Sequence, residues 1–316
     1  MKTKVLTLTV VAIALFASCQ KSEGIYDPGK KLSKLYDESI LSWNTGDDTQ
    51  EYSTGKNLSE EWTWTGDKLS RIDQYSSSGV LESSNTFTYD GDIIVRSDYG
   101  DNSYTDFIYD GKKVSEIKNY KEGVLSSVLA VTKRDGKKIA EMTATTYPTT
   151  QPNSKTTHQL QNVLELLIPE SAAEYIATAA EKHVATKGDP LVSNITLTWT
   201  GNNITKIEVT EPNTNMYMVY AYDNKKSPTK GLIDYLSGYL TMNEWGSKNN
   251  SIHDSIVAYS NGELIYNFSA HYTYEYDGNW PVNRTYSTVT ESVSATSIRY
   301  YEYKDCPIRA KRERGA

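Results

Sequence analysis

Along most of the chain, apolar and polar residues alternate in short runs that end in a turn. Five stretches share one form: Trp62-Thr63-Trp64-Thr65-Gly66, Phe87-Thr88-Tyr89-Asp90-Gly91, Phe107-Ile108-Tyr109-Asp110-Gly111, Leu197-Thr198-Trp199-Thr200-Gly201 and Tyr274-Glu275-Tyr276-Asp277-Gly278. Tyr220-Ala221-Tyr222-Asp223-Asn224 repeats it with Asn for Gly. Residues two apart share one face of a strand, so each unit puts two large side chains next to each other, and the Asp-Gly supplies the positive φ of a tight hairpin. After the glycine an apolar residue recurs at the third position and often at the sixth: Leu69 and Ile72, Val114 and Ile117, Ile139 and Met142, Ile204 and Ile207, Leu32 and Leu35. Strict alternation does not give that spacing; it requires a bulge or a strand that changes face. Ser97 breaks the rule after Gly91, and the unit around Gly278 loses the spacing.

Secondary turns at Ser78-Gly79, Gly100-Asp101-Asn102 and Glu122-Gly123 bring the turn glycines to intervals of 9 to 13 residues between Gly66 and Gly136, as consecutive antiparallel strands require. The fold expected is mainly β, an antiparallel up-and-down meander that is barrel-like or strongly curved. One segment departs from it. After a proline-bearing linker over 147–154, Leu160, Val163, Leu164 and Leu167 recur at helical spacing and stop at Pro169. Ser171-Ala172-Ala173-Glu174 has the form of a capping box, a second stripe runs from Tyr175 to Val184, and Gly188 stands as its cap. An αα-hairpin inserted at about 156–188 is therefore expected, covering the sheet with its apolar stripes.

The chain begins with an address. Lys2 and Lys4 precede an apolar run from Val5 to Phe16, too short for a spanning helix and right for a signal-peptide core. The run ends in Phe16-Ala17-Ser18-Cys19, which resembles a bacterial lipobox with Phe where Leu is usual. Residues 1–18 read as a lipoprotein signal peptide, Cys19 as the acylated residue, and 19–30 as lipid attachment and polar tether. Residues 31–306 read as one β-meander domain and 307–316 as a basic tail. Stable anchoring takes more than one acyl chain, as a lipoprotein cysteine carries, and Gln20 in place of Asp favours the outer membrane, facing the periplasm or the surface. Losing Lys2 and Lys4 takes the net charge from −7 to −9. Cys306, with no other thiol to pair with, reads as a bystander.

The lipobox, the aromatic-x-Tyr-Asp-Gly units, Asp223-Asn224-Lys225-Lys226-Ser227-Pro228 leading to Gly231-Leu232, and Ser247-Lys248-Asn249-Asn250 together resemble the Bacteroides-type lipoproteins of unknown function described as having a porin-like β fold. The likeness covers roughly residues 30 to 305. It implies an antiparallel, barrel-like sheet and envelope residence, and brings no activity and no functional residues. A more distant likeness is to the tyrosine-aspartate repeats of large bacterial shell proteins, for which this chain is too short. A membrane barrel needs an outward apolar band, whereas strands such as Lys112-Lys113-Val114-Ser115-Glu116-Ile117-Lys118 interleave charges, and the mean hydropathy is −0.58. The reading is a water-exposed domain held by lipid.

Chemistry is sparse. The 40 acidic residues against 33 basic ones give no basic footprint for nucleic acid. His158, His183, His253 and His271 make no metal-ligand spacing, and Asp47-Asp48, Asp90-Gly91-Asp92 and the Asp98 to Asp101 stretch fit no calcium loop. No nucleophile elbow, P-loop or dinucleotide fingerprint occurs, so no cofactor, metal or catalytic residue is expected. Trp62, Trp64 and Trp199 fill repeat positions and read as packing. Trp43, Trp245 and Trp280 lie in less regular stretches where a ring can stack on a sugar or anchor a protein, and Trp245 to Asn250, with Lys248, Asn249 and Asn250, is the best candidate loop for a polar, planar ligand. The sequence thus predicts a non-enzymatic binding or structural module of the cell envelope whose partners are the membrane, through Cys19, and a glycan or envelope protein. The alternatives are a surface glycan-binding accessory protein and, third, a glycoside hydrolase with a carboxylate pair.

Overall fold

A computed structural model describes residues 23–44, 49–147, 190–211, 213–232, 246–289 and 293–304. The expected signal peptide, Cys19, most of the 156–188 insertion's surroundings and the hairpin itself, Trp245, Cys306 and the basic tail lie outside these residues.

Among the described residues seventeen strands follow one another: β1 (Lys31–Asn44), β2 (Thr49–Ser53), β3 (Asn57–Thr65), β4 (Lys68–Tyr75), β5 (Leu81–Asp90), β6 (Ile93–Gly100), β7 (Ser103–Asp110), β8 (Lys113–Lys121), β9 (Val124–Asp135), β10 (Lys138–Thr146), β11 (Leu191–Thr200), β12 (Asn203–Thr210), β13 (Thr214–Tyr222), β14 (Ser251–Ser260), β15 (Glu263–Asp277), β16 (Trp280–Val289) and β17 (Val293–Lys304). From β3 onward each pairs antiparallel with the next, and β1 pairs with β17, so the meander closes into a barrel. Strands β2 and β3 lie end to end against successive halves of β1 and share one place, giving a ring of 16.

The third-and-sixth spacing is a bulge, repeated around the ring. Thr63 pairs with Arg71 and Trp64 with Leu69, which leaves Ser70 as the extra residue and turns both Leu69 and Ile72 inward. The same extra residue appears as Val95 in β6, Ser115 in β8, Thr205 in β12 and Ser33 in β1. It also appears as Val282 after Gly278, so that unit keeps the geometry although its third and sixth residues are Pro281 and Arg284. Ser97 occupies the inner wall like its apolar counterparts and donates to Asn85 Oδ1 at 2.7 Å, which satisfies a fully buried hydroxyl.

A bulge leaves a carbonyl out of the ladder, and the second large side chain of a unit takes it up, except before Gly278, where Tyr276 donates to the Asp223 carboxylate instead. Trp64 Nε1 donates to Leu32 O at 2.7 Å, Tyr89 to Leu69 O at 2.7 Å, Tyr109 to Ile94 O at 2.6 Å, Trp199 to Ile139 O at 2.7 Å, Tyr222 to Ile204 O at 2.5 Å and Tyr303 to Pro281 O at 2.8 Å. Tyrosine and tryptophan recur here because one side chain fills the barrel mouth with a ring and carries a donor at its tip. The lysine two places after the turn adds a third element: Lys31, Lys68 and Lys138 lie 5.3, 5.3 and 5.5 Å from the centres of Trp64, Tyr89 and Trp199.

The two walls differ in chemistry. Inside, Leu69, Ile94, Ile117, Leu129, Met142, Ile195, Ile204 and Met218 are buried. Outside, cross-strand and same-strand ion pairs recur: Arg71 with Asp73 at 2.6 Å, Arg96 with Asp106 at 2.6 and 2.9 Å, Lys118 with Glu116 at 3.0 Å and Lys206 with Glu208 at 2.8 Å. The inner wall changes character towards β16, β17 and β1, where Asp37 and Arg299 form a double hydrogen bond at 2.8 Å and Arg284, Asp254 and Tyr274 surround a cavity of about 60 Å³. Burial alone raises the Asp37 pKa, yet the Arg299 guanidinium holds it below the ordinary carboxylate range.

Candidate functional site

One end of the barrel collects the Asp-Gly turns, and three segments cross it. The first is Glu23–Lys30, bonded to the barrel immediately ahead of β1. Glu23 N donates to Lys112 O at 2.9 Å and Ile94 N donates to Gly24 O at 3.0 Å. The Glu23 carboxylate accepts from Val114 N at 2.8 Å and from both terminal nitrogens of Arg134 at 2.8 and 2.9 Å. Arg134 stands where the other hairpins have a Tyr or Trp, and it also donates to Val114 O at 2.6 Å, so it does the carbonyl's work and binds the strap as well. Gly24 is required: its φ is +82°, and a Cβ there would lie 2.0 Å from the Tyr109 hydroxyl. Tyr26 then enters the barrel mouth, stacked on Trp64 at 5.6 Å, and donates to Pro228 O at 2.7 Å; burial pushes its hydroxyl pKa up.

The second and third segments are 223–232 and 246–250. Ser227 N donates to Lys248 O at 3.1 Å, Lys226 N to Asn279 O at 3.1 Å and Lys248 N to Asn202 O at 3.0 Å. The candidate loop therefore sits at this end, but its amides largely serve the fold: Asn249 accepts from Asn203 Nδ2 at 3.1 Å and donates to Lys225 O at 2.6 Å, and Asn250 donates to Asp223 at 3.3 Å. Lys248 is exposed. Trp280 is half-buried at the same end, edge-on to Tyr303 at 6.1 Å, with Lys226 5.3 Å from its ring centre. Trp43 is exposed near the far end of β1, so these two rings do not form one row.

Sequence reasoning missed a cavity of about 430 Å³ at the edge of this end. Its floor is apolar, made by Ile139, Leu197, Trp199 and Ile204, with Ile25 and Gly24 of the strap as one wall. Gly246 closes another side so tightly that a Cβ would lie 2.6 Å from Ile204. Lys137, Lys138 and Lys230 stand around it with Asp135. The Lys230 ammonium has its pKa lowered, first by desolvation and then by the like charge of Lys248. Such a mixture of apolar floor and cationic rim suits an anionic group attached to an apolar body. The signal that could have found it was the repeated pair of lysines after Gly111, Gly136 and Asn224.

Elsewhere, His253 and His271 face each other across β14 and β15 with ring centres 4.2 Å apart. Among the described residues no group of three or more His, Cys, Asp or Glu side chains converges as a metal site would require.

No protein-family model matches this sequence, and no curated protein matches it. Among solved structures, the chain is similar to a porin-like protein from Bacteroides uniformis, with a TM-score of 0.41 and 8% identity over 88% of this chain and 100% of that one. It is also similar to a porin-like protein from Bacteroides vulgatus, with a TM-score of 0.27 and 13% identity over the same shares.

Proposed function

We propose that the chain is a non-enzymatic, lipid-anchored module of the bacterial envelope: a water-exposed barrel, tethered through Cys19 in the outer membrane, that uses its Asp-Gly end for binding. The supporting observation is the chemistry of the two walls. A barrel that spans a bilayer shows an apolar band to lipid, whereas the midwall here presents Arg71–Asp73, Arg96–Asp106 and Lys206–Glu208 outward and keeps its aliphatic side chains inside. Burying the cation of such a pair at the bilayer midplane costs on the order of 2–4 kcal/mol, and the carboxylate adds a smaller cost.

The test is metabolic labelling of the full-length chain with a palmitate analogue, followed by fractionation. The wild type is expected to take up label and sediment with outer membranes. Cys19→Ser is expected to lose the label and appear, still folded, in the soluble fraction. Equal labelling of the two would end the anchor reading, and a Cys19→Ser protein that resists carbonate extraction would end the water-exposed one.

A further inference from the structure

We infer that the Asp-Gly end of the barrel is the face that rests on the membrane, with its free lysines on anionic lipid head groups. The inference builds on lipidation at Cys19 and adds what that reading does not contain, an orientation and a contact surface.

The first argument is reach. Glu23 is pinned to this end by its double bond to Arg134 and by its contacts with Lys112 and Val114. Only Gln20, Lys21 and Ser22 separate it from Cys19. Four Cα steps span at most about 15 Å even fully extended. A strand such as β5, with 10 residues, runs roughly 33 Å, or about 25 Å along the axis at the tilt usual for barrels. A lipid on Cys19 therefore holds the Asp-Gly end at the head groups and leaves the opposite end out of reach.

The second argument is charge. Lys112, Lys113, Lys137, Lys230 and Lys248 lie at this end, and among the described residues none of them is in an ion pair; they outnumber the exposed, likewise unpaired Asp90, Asp110 and Asp135 beside them. At the opposite end the turns carry Glu82, Asp101, Glu122 and Glu263 against Lys121. Basic residues held within a Debye length of an anionic surface are attracted to it and acidic ones repelled. The cavity walled by Gly24 and Ile25 opens among these lysines, and its apolar floor matches what lies behind a lipid phosphate. The rival arrangement would use the apolar side chains exposed at the opposite end, Trp43, Leu81, Val124 and Leu264, and the tether forbids it.

The experiment separates orientation from lipidation by supplying the lipid chemically. The mature domain, carrying Cys306→Ser, is coupled through Cys19 to a maleimide lipid and bound to phosphatidylglycerol-containing vesicles. A fluorophore is placed through azidophenylalanine at Asp110, on the Asp-Gly end, or at Glu263, on the opposite end, and nitroxide head-group lipids are the quencher. Quenching several-fold stronger at 110 than at 263 is expected; equal or reversed quenching in floated vesicles overturns the orientation. Reversing Lys112, Lys137 and Lys230 to Glu is expected to leave flotation intact and cut quenching at 110 at least twofold, and unchanged quenching overturns the head-group contact. Failure of the cell to acylate Cys19 would show only in the labelling experiment, since the chemical lipid bypasses it.

Discussion

The two ends of this barrel are built from the same strands and solve opposite problems. At the Asp-Gly end the turns use glycine wherever φ is positive, as at Gly66, Gly91, Gly111, Gly136, Gly201 and Gly278. The rings behind them are locked to bulge carbonyls, and a strap crosses the mouth. At the opposite end Asp101, Asn102, Glu122 and Asn261 all take positive φ without being glycine, a conformation that costs a non-glycine residue on the order of 1 kcal/mol. The inner wall there is a belt of small polar groups: Thr105 donates to Asn119 Oδ1 at 2.7 Å, and Asn119 Nδ2 donates to Ser127 at 2.9 Å. One end is specified residue by residue; the other tolerates strain and leaves apolar side chains such as Val80, Leu81 and Leu264 exposed. The difference places the precision of the fold where the chain enters the barrel.

The largest effect expected from breaking this contrast is at Arg134. Replacing it with Ala leaves the Glu23 carboxylate half-buried without its cation and strips the Val114 carbonyl of its donor. The loss is expected to be about 3 kcal/mol, since removing one partner strands the other charge. It is read as a lowered urea midpoint together with new proteolytic cleavage within 23–30. Asn119→Ala, the matching cut in the polar belt, is expected to cost about 1–2 kcal/mol and leave the strap protected. Cleavage of the strap in both variants would show that the ends are not independent.

Next in size is a pair of glycines. Gly24 and Gly79 have similar φ, +82° and +77°, but Gly24 faces the Tyr109 hydroxyl and Gly79 faces open space. Gly79→Ala is expected to cost about 1 kcal/mol, the backbone term alone. Gly24→Ala adds a steric clash and is expected to cost about 2–3 kcal/mol. Equal midpoint shifts would mean that the strap yields to the methyl group.

The opposite end has its own probe in Glu211, whose carboxyl accepts from Ser193 at 2.6 Å. Burial pushes its pKa up to about 7 from 4.5, against the smaller lowering by Ser193. Because the folded state holds the proton more tightly than the unfolded chain, stability is greatest below about pH 4.5, falls between about 4.5 and 7, and is level above. Glu211→Gln is expected to remove that slope and raise stability at pH 8 by about 1–2 kcal/mol, discounted because the residue keeps partial solvent contact. Unfolding curves for both proteins across pH 4 to 8 check it, and parallel curves would contradict it.

Much of this was legible in the sequence, and the parts that were not have a common cause. The hairpin units, the meander and the need for a bulge follow from local spacing, because turn chemistry and the two-residue period are local. Pro281 and Arg284 hid the last repeat, since a bulge is a backbone feature that tolerates residues other than the usual ones. Closure was not legible: the pairing of Leu35 with Tyr301 joins residues from the two ends of the domain. Nor was the role of Glu23, which reads as polar tether until Arg134, on β9, comes within 2.8 Å. The cavity was invisible for the same reason, because its walls come from the strap, two hairpins and two further loop segments. Of the candidate residues, Lys248, Asn249, Asn250 and Trp280 come to one end and Trp43 goes to the other. Trp199, read as packing, proves to do two jobs: it binds the Ile139 carbonyl and walls the cavity.

The smallest effect expected is also the one that dissects the strap contact. Tyr109→Phe removes one hydroxyl and leaves the Ile94 carbonyl without its side-chain donor, a loss of about 1 kcal/mol. The same hydroxyl is the nearest atom to a Cβ at position 24, with its ring carbon next at 2.9 Å. In the double variant Gly24→Ala/Tyr109→Phe, the methyl group meets a smaller neighbour while the positive φ remains. The two costs should then fall short of additivity by about 1 kcal/mol, the part of the Gly24→Ala penalty that belongs to the hydroxyl. Strict additivity would clear the hydroxyl and assign the penalty to φ and to the ring carbon that Tyr109→Phe retains.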